Sequence, residues 1–549
     1  MSLKPTPIGP VPELTAYVAR AAFPDGNPYV SVRDALGTFY DDQRFAGLFP
    51  DRGQPAEAPW RLALVTVLQF AEGLADRQAA DAVRGRIDWK YALGLELTDP
   101  GFDFSVLCEF RSRLVAGGAE RLLLEAMLET CKARGLVKAR TRQRTDSTHV
   151  LAAIRTLNRL ELVGETLRAA LNIVATVAPK WLRAWVPPEW FDRYASRIEE
   201  SRLPKGEEAR YAHGEGIGAD GFRLLDALYG EDTPRWLGDL PVVEVLRRVW
   251  LAQYYLDEGR VRWRKAGDLP PAGQRIDSPY DPEATFGNKR STTWTGYKVH
   301  LTETCEDDEV HLITNVETTA AVTSDVDQTA PIHTSLAAKG LLPGDHLLDA
   351  GYVDAELLVD SQAEHGVRLV GPVRPDVSWQ TQAAQGFDIS HFVIDWETRQ
   401  VTCPEGKTSA LWQPGRDRWG NEIIHTEFAR RECLACRSRP LCTRAKTEGR
   451  EMTLRPRERH EALQAARQRQ ETAEWKAEYA MRAGIEGTLS EGVRGFGLRR
   501  CRYVGLAKSH LQHVITAAAM NLSRLAAWLA GVPRAKTRTS RFARLARAG

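Results

Sequence analysis

The feature that most limits the fold is a short apolar run, 346–352, with the sequence His-Leu-Leu-Asp-Ala-Gly-Tyr. Helical patterns precede it at about 327–339 and follow it at 354–364. An apolar run of this length between two helices predicts a parallel strand that is buried on both faces. Asp349 is then expected at the carboxyl end of that strand, the edge at which α/β sheets place their ligands. The chain is therefore predicted to contain an α/β core.

Other strand-like runs supply the rest of a mixed sheet. The run 140–149 can form a strand and is predicted to end at Asp146. Residues 294–304 alternate apolar and polar side chains, and with 310–316 they predict a hairpin. A further strand is expected at 367–373. Both Asp146 and Asp349 are thus predicted to close strands.

At 549 residues the chain is too long for one compact core, and roughly 150 residues per unit implies three or four units. Helical periodicity, strand-like runs and changes in composition define the boundaries. We predict an all-helical N-terminal domain at 1–139, the first part of the core at 140–154, a helical insertion at 155–269, the core sheet at 270–373, a cysteine-containing insertion at 374–450, C-terminal helices that complete the core at 451–530, and a basic tail at 531–549.

The N-terminal domain is a candidate for DNA binding or dimerisation. Residues 78–83, the turn at Gly85 and the following Asp88-Trp89-Lys90 could form a helix-turn-helix that reads DNA. The alternative is two short helices that only pack.

Charge and hydropathy exclude some classes of protein. A formal net charge of +2 excludes a globally cationic nucleic-acid coat, although the C-terminal tail is basic and could contact a polyanion. The first residues have no apolar run, so we expect no secretory signal and a cytoplasmic, nucleoid-associated protein. The late apolar stretch at 513–532 is interrupted by Asn521 and Arg524, which predicts a packed helix and no membrane span.

The segment 479–500 predicts a helix with a functional face. Polar residues recur there at intervals of three or four: Tyr479, Arg482, Glu486, Ser490 and Arg494. An apolar stripe lies beside them: Ile485, Leu489 and Val493. Glu486 is thereby held between two guanidinium groups, an arrangement that suits a metal ligand with phosphate-binding neighbours.

If Asp146, Asp349 and Glu486 converge, three carboxylates repel one another unless cations lie between them. Mg²⁺, or Mn²⁺, is the expected ion because it prefers hard oxygen ligands and completes its shell with water and phosphate. Two such ions can promote an in-line displacement on phosphorus, so the substrate would be a phosphodiester.

These residues resemble the active-site blocks of the Asp-Asp-Glu transposases of bacterial insertion sequences. The similar blocks are Thr-Asp-Ser-Thr-His around Asp146, Asp-Ala-Gly-Tyr at Asp349, Tyr479 with Arg482 and Glu486, and the closing blocks 497–500 and 505–508. The resemblance implies a ribonuclease H-like core, two divalent ions on the three acids, and contacts from Tyr479 and Arg482 to DNA phosphates. The family's basic residue seven positions after the glutamate falls on Val493 here, and Arg494 follows it.

Each acid also has an ordinary structural alternative. Asp146 could close a strand through an Asx-turn, and Asp349 could cap the helix that follows it. Competing acids nearby are Asp345, Asp354, Glu478 and Glu491.

Four cysteines form a second constellation. Cys403, Cys433, Cys436 and Cys442 could give four thiolates to a structural Zn²⁺, and the alternative is four thiols without metal. The other four cysteines are dispersed.

The predicted function is a DNA transposase that cuts the element ends and joins the resulting 3′ hydroxyl to target DNA by two-metal-ion catalysis. The terminal inverted repeats and the target are its DNA partners, and because two ends must be joined we expect a homodimer on DNA. Phosphate contacts are predicted from Arg482, Arg494, Arg499, Arg500 and Lys508. The alternatives are a metal-dependent nuclease without strand transfer and a non-catalytic DNA-binding regulator.

Overall fold

The computed structural model describes residues 2–5, 7–418 and 420–534. The predicted basic tail therefore lies outside the described residues, except for its first positions. The N-terminal part is helical, and α3 is buried along almost its whole length because its sequence is largely apolar. The helices are α1 Glu13–Ala22, α2 Pro28–Leu36, α3 Pro59–Glu72, α4 Asp76–Gly85, α5 Ile87–Leu93, α6 Ser105–Ala116 and α7 Leu122–Ala133.

Helices α4 and α5 form the pair that was a candidate DNA reader. Only Arg86 separates them. Asp88, Trp89 and Lys90 are 5%, 0% and 3% exposed, so these side chains do not reach the surface where DNA would lie. In this structure the pair packs, and DNA binding by the N-terminal domain stays a prediction.

A mixed sheet forms the centre of the molecule. Strand β5 pairs antiparallel with β1 on one side and with β6 on the other, and β7 and β8 extend the sheet parallel to β1. The order is therefore β6-β5-β1-β7-β8, with β4 added along the first part of β5. The strands are β1 Arg142–Leu151, β4 Thr285–Lys289, β5 Thr292–Thr304, β6 Ile313–Ala320, β7 Asp345–Leu347 and β8 Arg368–Val370, with helices α13 Thr329–Ala338 and α14 Ala355–His365.

The register corrects one prediction. Strand β1 continues to Leu151, so Asp146 lies in its middle and not at its end, opposite Leu301 of β5. The strand extends further than its polar sequence suggested because β5 is long enough to pair with it from Gln143 to Leu151. Asp349 does follow the end of its strand, two residues beyond Leu347.

The stretch between β1 and β4 folds as a helical unit with its own hydrophobic core. Asn158 caps its first helix and Glu161 completes a capping box, which fixes where the helix begins. Its helices are α8 Arg159–Val177, α9 Pro179–Trp185, α10 Glu189–Tyr194, α11 Glu207–Leu228 and α12 Pro241–Gln253, followed by the hairpin β2 Tyr254–Asp257 and β3 Arg260–Trp263.

The cysteine-containing part follows β8 and consists of short elements around a small core. They are α15 Trp379–Ala383, β9 Val393–Asp395, β10 Gln400–Thr402, β11 Ser409–Arg416, β12 Glu422–Phe428, α16 Arg430–Leu434, α17 Arg439–Cys442 and β13 Glu451–Leu454. Strands β11, β12 and β13 form one antiparallel sheet.

Four helices complete the chain: α18 Arg457–Arg469, α19 Ala473–Ala480, α20 Gly484–Gly495 and α21 Leu506–Leu529. Helix α21 is buried beside the sheet, and Asn521 explains why an amide interrupts its apolar sequence. The Asn521 side chain accepts from the Ile313 N–H at 2.8 Å and donates to the Ile313 carbonyl at 2.9 Å, which satisfies the backbone at the start of β6. Across the described residues, no helix is both long enough and apolar enough to span a membrane.

Candidate active site

Three acids from distant segments meet around one guanidinium group. Nη2 of Arg482 lies 2.6 Å from Oδ2 of Asp146 and 3.9 Å from Oδ2 of Asp349, and Nη1 lies 3.3 Å from Oε1 of Glu486. The structure brings these three candidate site residues together around Arg482. The cation between the carboxylates is the side chain of Arg482. Arg482 lies four residues before Glu486, and its guanidinium reaches back toward the sheet.

Local structure fixes each acid. Asp146 is 5% exposed and accepts the N–H of Ser147 at 2.7 Å. Asp349 accepts the N–H of Gly351 at 2.8 Å in the turn after β7. Glu486 is in the first turn of α20, and its side chain is 62% exposed. The site is thus buried on the Asp146 side and open to solvent on the Glu486 side.

Burial governs the protonation of Asp146. Loss of hydration raises the pKa of its carboxyl to about 6, against the lowering effects of Arg482 and the Ser147 N–H. The negative charges of Asp349 and Glu486 raise it further. A carboxyl with a raised pKa beside two other acids marks a place where a cation is needed to keep every group ionised.

A buried ion network holds α20 against the sheet. Glu303 on β5 is fully buried, and its carboxylate receives Nε of Arg144 at 2.7 Å and Nη1 of Arg524 at 2.8 Å. The Thr488 hydroxyl of α20 also donates to Glu303, at 2.6 Å. Arg144 donates from Nη1 to the Met481 carbonyl at 2.7 Å, just before Arg482. The segment that carries Arg482 and Glu486 is therefore anchored to β1 and β5.

Asp325 is a fourth acid at the site, and the sequence patterns did not reveal it. It accepts from Nζ of Lys298 at 3.1 Å and from the Ser147 hydroxyl at 3.4 Å. A Cβ atom on Gly351 would lie 3.0 Å from Oδ1 of Asp349 and 3.5 Å from Oδ2 of Asp325, so the two carboxylates approach the same turn. The signal that could have found Asp325 is its position after β6, which parallels that of Asp349 after β7.

The competing acids are engaged elsewhere. Each makes a contact that a structural role explains: Asp345 and Glu478 pair with Arg368, Asp354 accepts the Leu357 N–H at the start of α14, and Glu491 pairs with Arg524. Their contacts therefore favour Asp146, Asp349 and Glu486 as the acids of the site.

The predicted phosphate-binding residues lie between Tyr479 in α19 and Lys508 in α21. A short 3₁₀ turn, Met481–Ala483, separates α19 from α20, so the helical face is offset there. Tyr479 stacks on Trp475 with ring centroids 4.8 Å apart. Nε of Arg499 donates to the Thr148 hydroxyl at 2.8 Å, which places it along β1 beside Asp146. The exposed members of the predicted set are Arg494, Arg500 and Lys508.

Comparison with known protein families adds two findings. A family model described as a transposase DDE domain matches residues 402–526, which include Glu486 and all of α20. A second model, described as a transposase domain (DUF772), matches residues 17–113 of the helical N-terminal part. Together the two matches support a DDE transposase of the insertion-sequence type. No curated protein matches the chain, and no solved structure matches it.

The two matches cover different parts of the chain. The first includes Glu486 and the four clustered cysteines, whereas Asp146 and Asp349 lie outside both. The convergence of Asp146 and Asp349 with Glu486 is therefore an observation of the structure that the family matches do not contain. Transposases act on DNA, so DNA is the partner that this family implies.

The donor set of the transposase fits a divalent cation in its chemistry. Within residues 2–5, 7–418 and 420–534, no three His, Cys, Asp or Glu side chains are arranged to hold a metal ion. At the acidic site, the Arg482 guanidinium lies among the carboxylates, which explains why these acids are not arranged to hold a metal ion. Oxygen ligands of this kind are those that Mg²⁺ and Mn²⁺ prefer.

Proposed function

We propose that this transposase cleaves phosphodiester bonds at the ends of its element and joins the 3′ hydroxyl to target DNA, with divalent ions held by Asp146, Asp349 and Glu486. The observation that carries the proposal is the approach of these three carboxylates to a single guanidinium group. Three carboxylates would not gather in a half-buried site without a cationic partner.

We further propose a ribonuclease H-like core. The support is the order β6-β5-β1-β7-β8, in which an antiparallel trio is followed by two strands parallel to β1. Asp146 on the central strand and Asp349 after its parallel neighbour are then side by side.

Mg²⁺ or Mn²⁺ bound to the three acids would supply Lewis acidity and lower the pKa of a bound water or hydroxyl. The side chains have separate tasks. Asp146 and Asp349 present oxygen ligands from rigid elements, and Glu486 presents one from the open side of the site. Arg482 would exchange its carboxylate partners for a DNA phosphate, since guanidinium groups pair with both.

The DNA would lie along the exposed side of α20 and the segment that follows it. Arg494, Arg499, Arg500 and Lys508 are proposed to hold backbone phosphates there, because three of them are exposed and Arg499 reaches Thr148 on β1, near Asp146. Phosphate contacts of this kind carry affinity that falls steeply with salt. A homodimer is proposed because both element ends must be processed together.

The test uses the full chain, a linear duplex that carries the element ends, and Mg²⁺. Asp349→Asn is expected to abolish cleavage while leaving DNA binding near that of the parent. Asp354→Asn is the matched control, five residues on, because asparagine also caps a helix and the wild-type activity should remain. If Asp349→Asn cuts as well as the parent, the assignment of the site is wrong.

The same reactions separate the alternatives. Joined products between element ends and target DNA support strand transfer, and cleavage without joined products indicates a nuclease. Salt-sensitive binding with no metal-dependent cleavage indicates a DNA-binding regulator.

A further inference from the structure

The four cysteines of the C-terminal half face one small cavity. Cys403, Cys433, Cys436 and Cys442 all line a space of about 40 Å³, which is large enough for a single ion or water. All four are free thiols. Cys433, Cys436 and Cys442 are close in sequence, and folding brings Cys403 to them from the other side of β11 and β12.

The turn that carries Cys403 is shaped around its sulfur. The Lys407 N–H donates to Sγ of Cys403 at 3.4 Å, and the Gly406 N–H donates to the Cys403 carbonyl at 2.9 Å. Gly406 has a φ of 75°, which glycine adopts without strain. A backbone N–H directed at sulfur stabilises the thiolate form, which is the form that binds metal.

The surrounding unit is too poor in apolar residues to explain its own order. Its core contains five buried hydrophobic residues: Phe392, Val401, Phe428, Met452 and Leu454. Cys433 lies in α16, Cys442 lies in α17 and Cys436 lies between these two helices. Neither helix contains a buried residue. Units with so small a core usually need a disulfide or a metal to hold them.

The charge around the cavity suits a metal bound by thiolates, which has a net negative charge. Three basic residues, Lys407, Arg439 and Arg450, and two acidic ones, Glu405 and Glu432, line the cavity, so its lining carries one net positive charge. Arg450 donates from Nη1 to the Cys442 carbonyl at 2.9 Å, and its buried Nε has no hydrogen-bond partner among the described residues. Because Arg450 lines the same cavity as the four cysteines, its guanidinium adds positive charge where thiolates would lie.

We infer that Cys403, Cys433, Cys436 and Cys442 bind one structural Zn²⁺ that holds the unit between β8 and α18 together. Zn²⁺ takes four thiolates in a tetrahedral site, and such a site contributes directly to folding. The four cysteines line the cavity, but within the described parts of the chain their side chains are not arranged as a metal site. Binding would draw them inward. The inference does not rest on the proposed function, because this zinc takes no part in the reaction.

The experiment measures metal in the full chain purified without chelator. One zinc per chain is expected by inductively coupled plasma mass spectrometry. The double variant Cys433→Ser/Cys436→Ser should retain less than a tenth of it. Cys108→Ser, which removes an exposed thiol elsewhere, should retain all of it.

A second measurement does not depend on how the variants fold. Replacement of zinc by Co²⁺ in the unmodified chain should give thiolate-to-cobalt charge-transfer absorption and the intense visible bands of a tetrahedral site. Absence of both bound zinc and the cobalt spectrum would overturn the inference, as would a disulfide between any two of the four cysteines.

Discussion

Nη2 of Arg482 lies 2.6 Å from Oδ2 of Asp146, and this contact puts a protein cation where a divalent ion would compete for the same oxygens. The pKa of Arg482 reflects both sides of that position. Burial lowers the pKa of Arg482, and the charges of Asp146, Asp349 and Glu486 raise it. The net result is a pKa above the ordinary value of arginine. Arg482 is therefore an internal counter-ion for the site.

Removal of this counter-ion should strengthen metal binding. In Arg482→Leu, Mn²⁺ no longer displaces a guanidinium group, and we expect its Kd to fall about tenfold, which corresponds to about 1.4 kcal/mol. Titration calorimetry with Mn²⁺ measures it. Arg494→Leu, at the exposed end of α20, should leave the Kd unchanged. Weaker Mn²⁺ binding by Arg482→Leu would mean that the guanidinium positions the carboxylates and does not compete for them.

The contrast between Arg482 and Asp349 indicates what sequence could predict. The apolar run before Asp349 has one plausible fold, and the parallel strand it predicted is present. Asp146 on β1 and Glu486 on α20 could be proposed from the sequence because carboxylates suit the binding of divalent cations. Their family was confirmed by the comparisons, whereas their catalytic roles stay predictions. Arg482 was predicted to face DNA, but only the folded chain places its guanidinium among the acids, since that position depends on three segments at once.

Asp325 illustrates a second limit of the sequence. It follows a strand as Asp349 does, but nothing in its own segment indicates that Lys298 and Ser147 will meet it. Contacts across a sheet depend on register, which was not predicted, and β1 extends beyond its predicted end at Asp146 because β5 is long. The helical unit between β1 and β4 was easier to predict, since its periodicity is local.

Asp325 should position the Asp349 turn through its contact with Lys298. Asp325→Asn removes the charge and leaves Lys298, whose side chain is 13% exposed, without its carboxylate. We expect a loss of about 1–3 kcal/mol in the free energy of unfolding and a lower cleavage rate. Urea denaturation measures the first, and the control is Asp327→Asn, an exposed neighbour. If Asp325→Asn is as stable as Asp327→Asn, the Lys298 pair does not support the turn.

Glu303 should be among the most sensitive positions of the core. Glu303→Gln leaves Arg144 and Arg524 with an uncharged partner in a fully buried place, and we expect a loss of about 3–5 kcal/mol in unfolding free energy. Glu461→Gln breaks an exposed pair with Arg457 and should cost no more than about 1 kcal/mol. Chemical denaturation of both variants makes the comparison. Equal losses would show that the buried network does not hold α20 to the sheet.

Stability should fall in mild acid because several histidines are buried without charge. Burial lowers the pKa of His300 to about 4 and that of His513 to about 3. Below pH 6.5, near the pKa of histidine in the unfolded chain, the unfolded chain takes up protons that the folded chain does not. The free energy of unfolding therefore decreases as the pH is lowered. We expect about 1–2 kcal/mol per buried histidine between pH 7 and 5. Urea midpoints across this range measure the trend.

His513→Gln should flatten that pH dependence. It removes one imidazole that the folded state keeps neutral, and glutamine can still hydrogen-bond the Thr318 hydroxyl. His391→Gln, at an exposed position, should leave the slope as in the parent. A slope that is the same in all three proteins would place the acid sensitivity in other groups.

Two glycines of α20 offer the sharpest test of how the Glu486 helix is seated. A Cβ atom on Gly484 would overlap the Arg144 guanidinium, which cannot move away freely because Glu303 and the Met481 carbonyl hold it. Gly484→Ala should therefore lift the start of α20 off β1, separate Glu486 from Asp146 and lower Mn²⁺ affinity and cleavage together. A Cβ atom on Gly487, in the same helix, would meet open space, with nothing from the described residues outside the helix backbone within 4 Å of it. Gly487→Ala should keep activity and add about 0.5–1 kcal/mol of stability, because alanine favours the helix. If both variants bind Mn²⁺ like the parent, close contact between α20 and β1 is not what brings the three acids together.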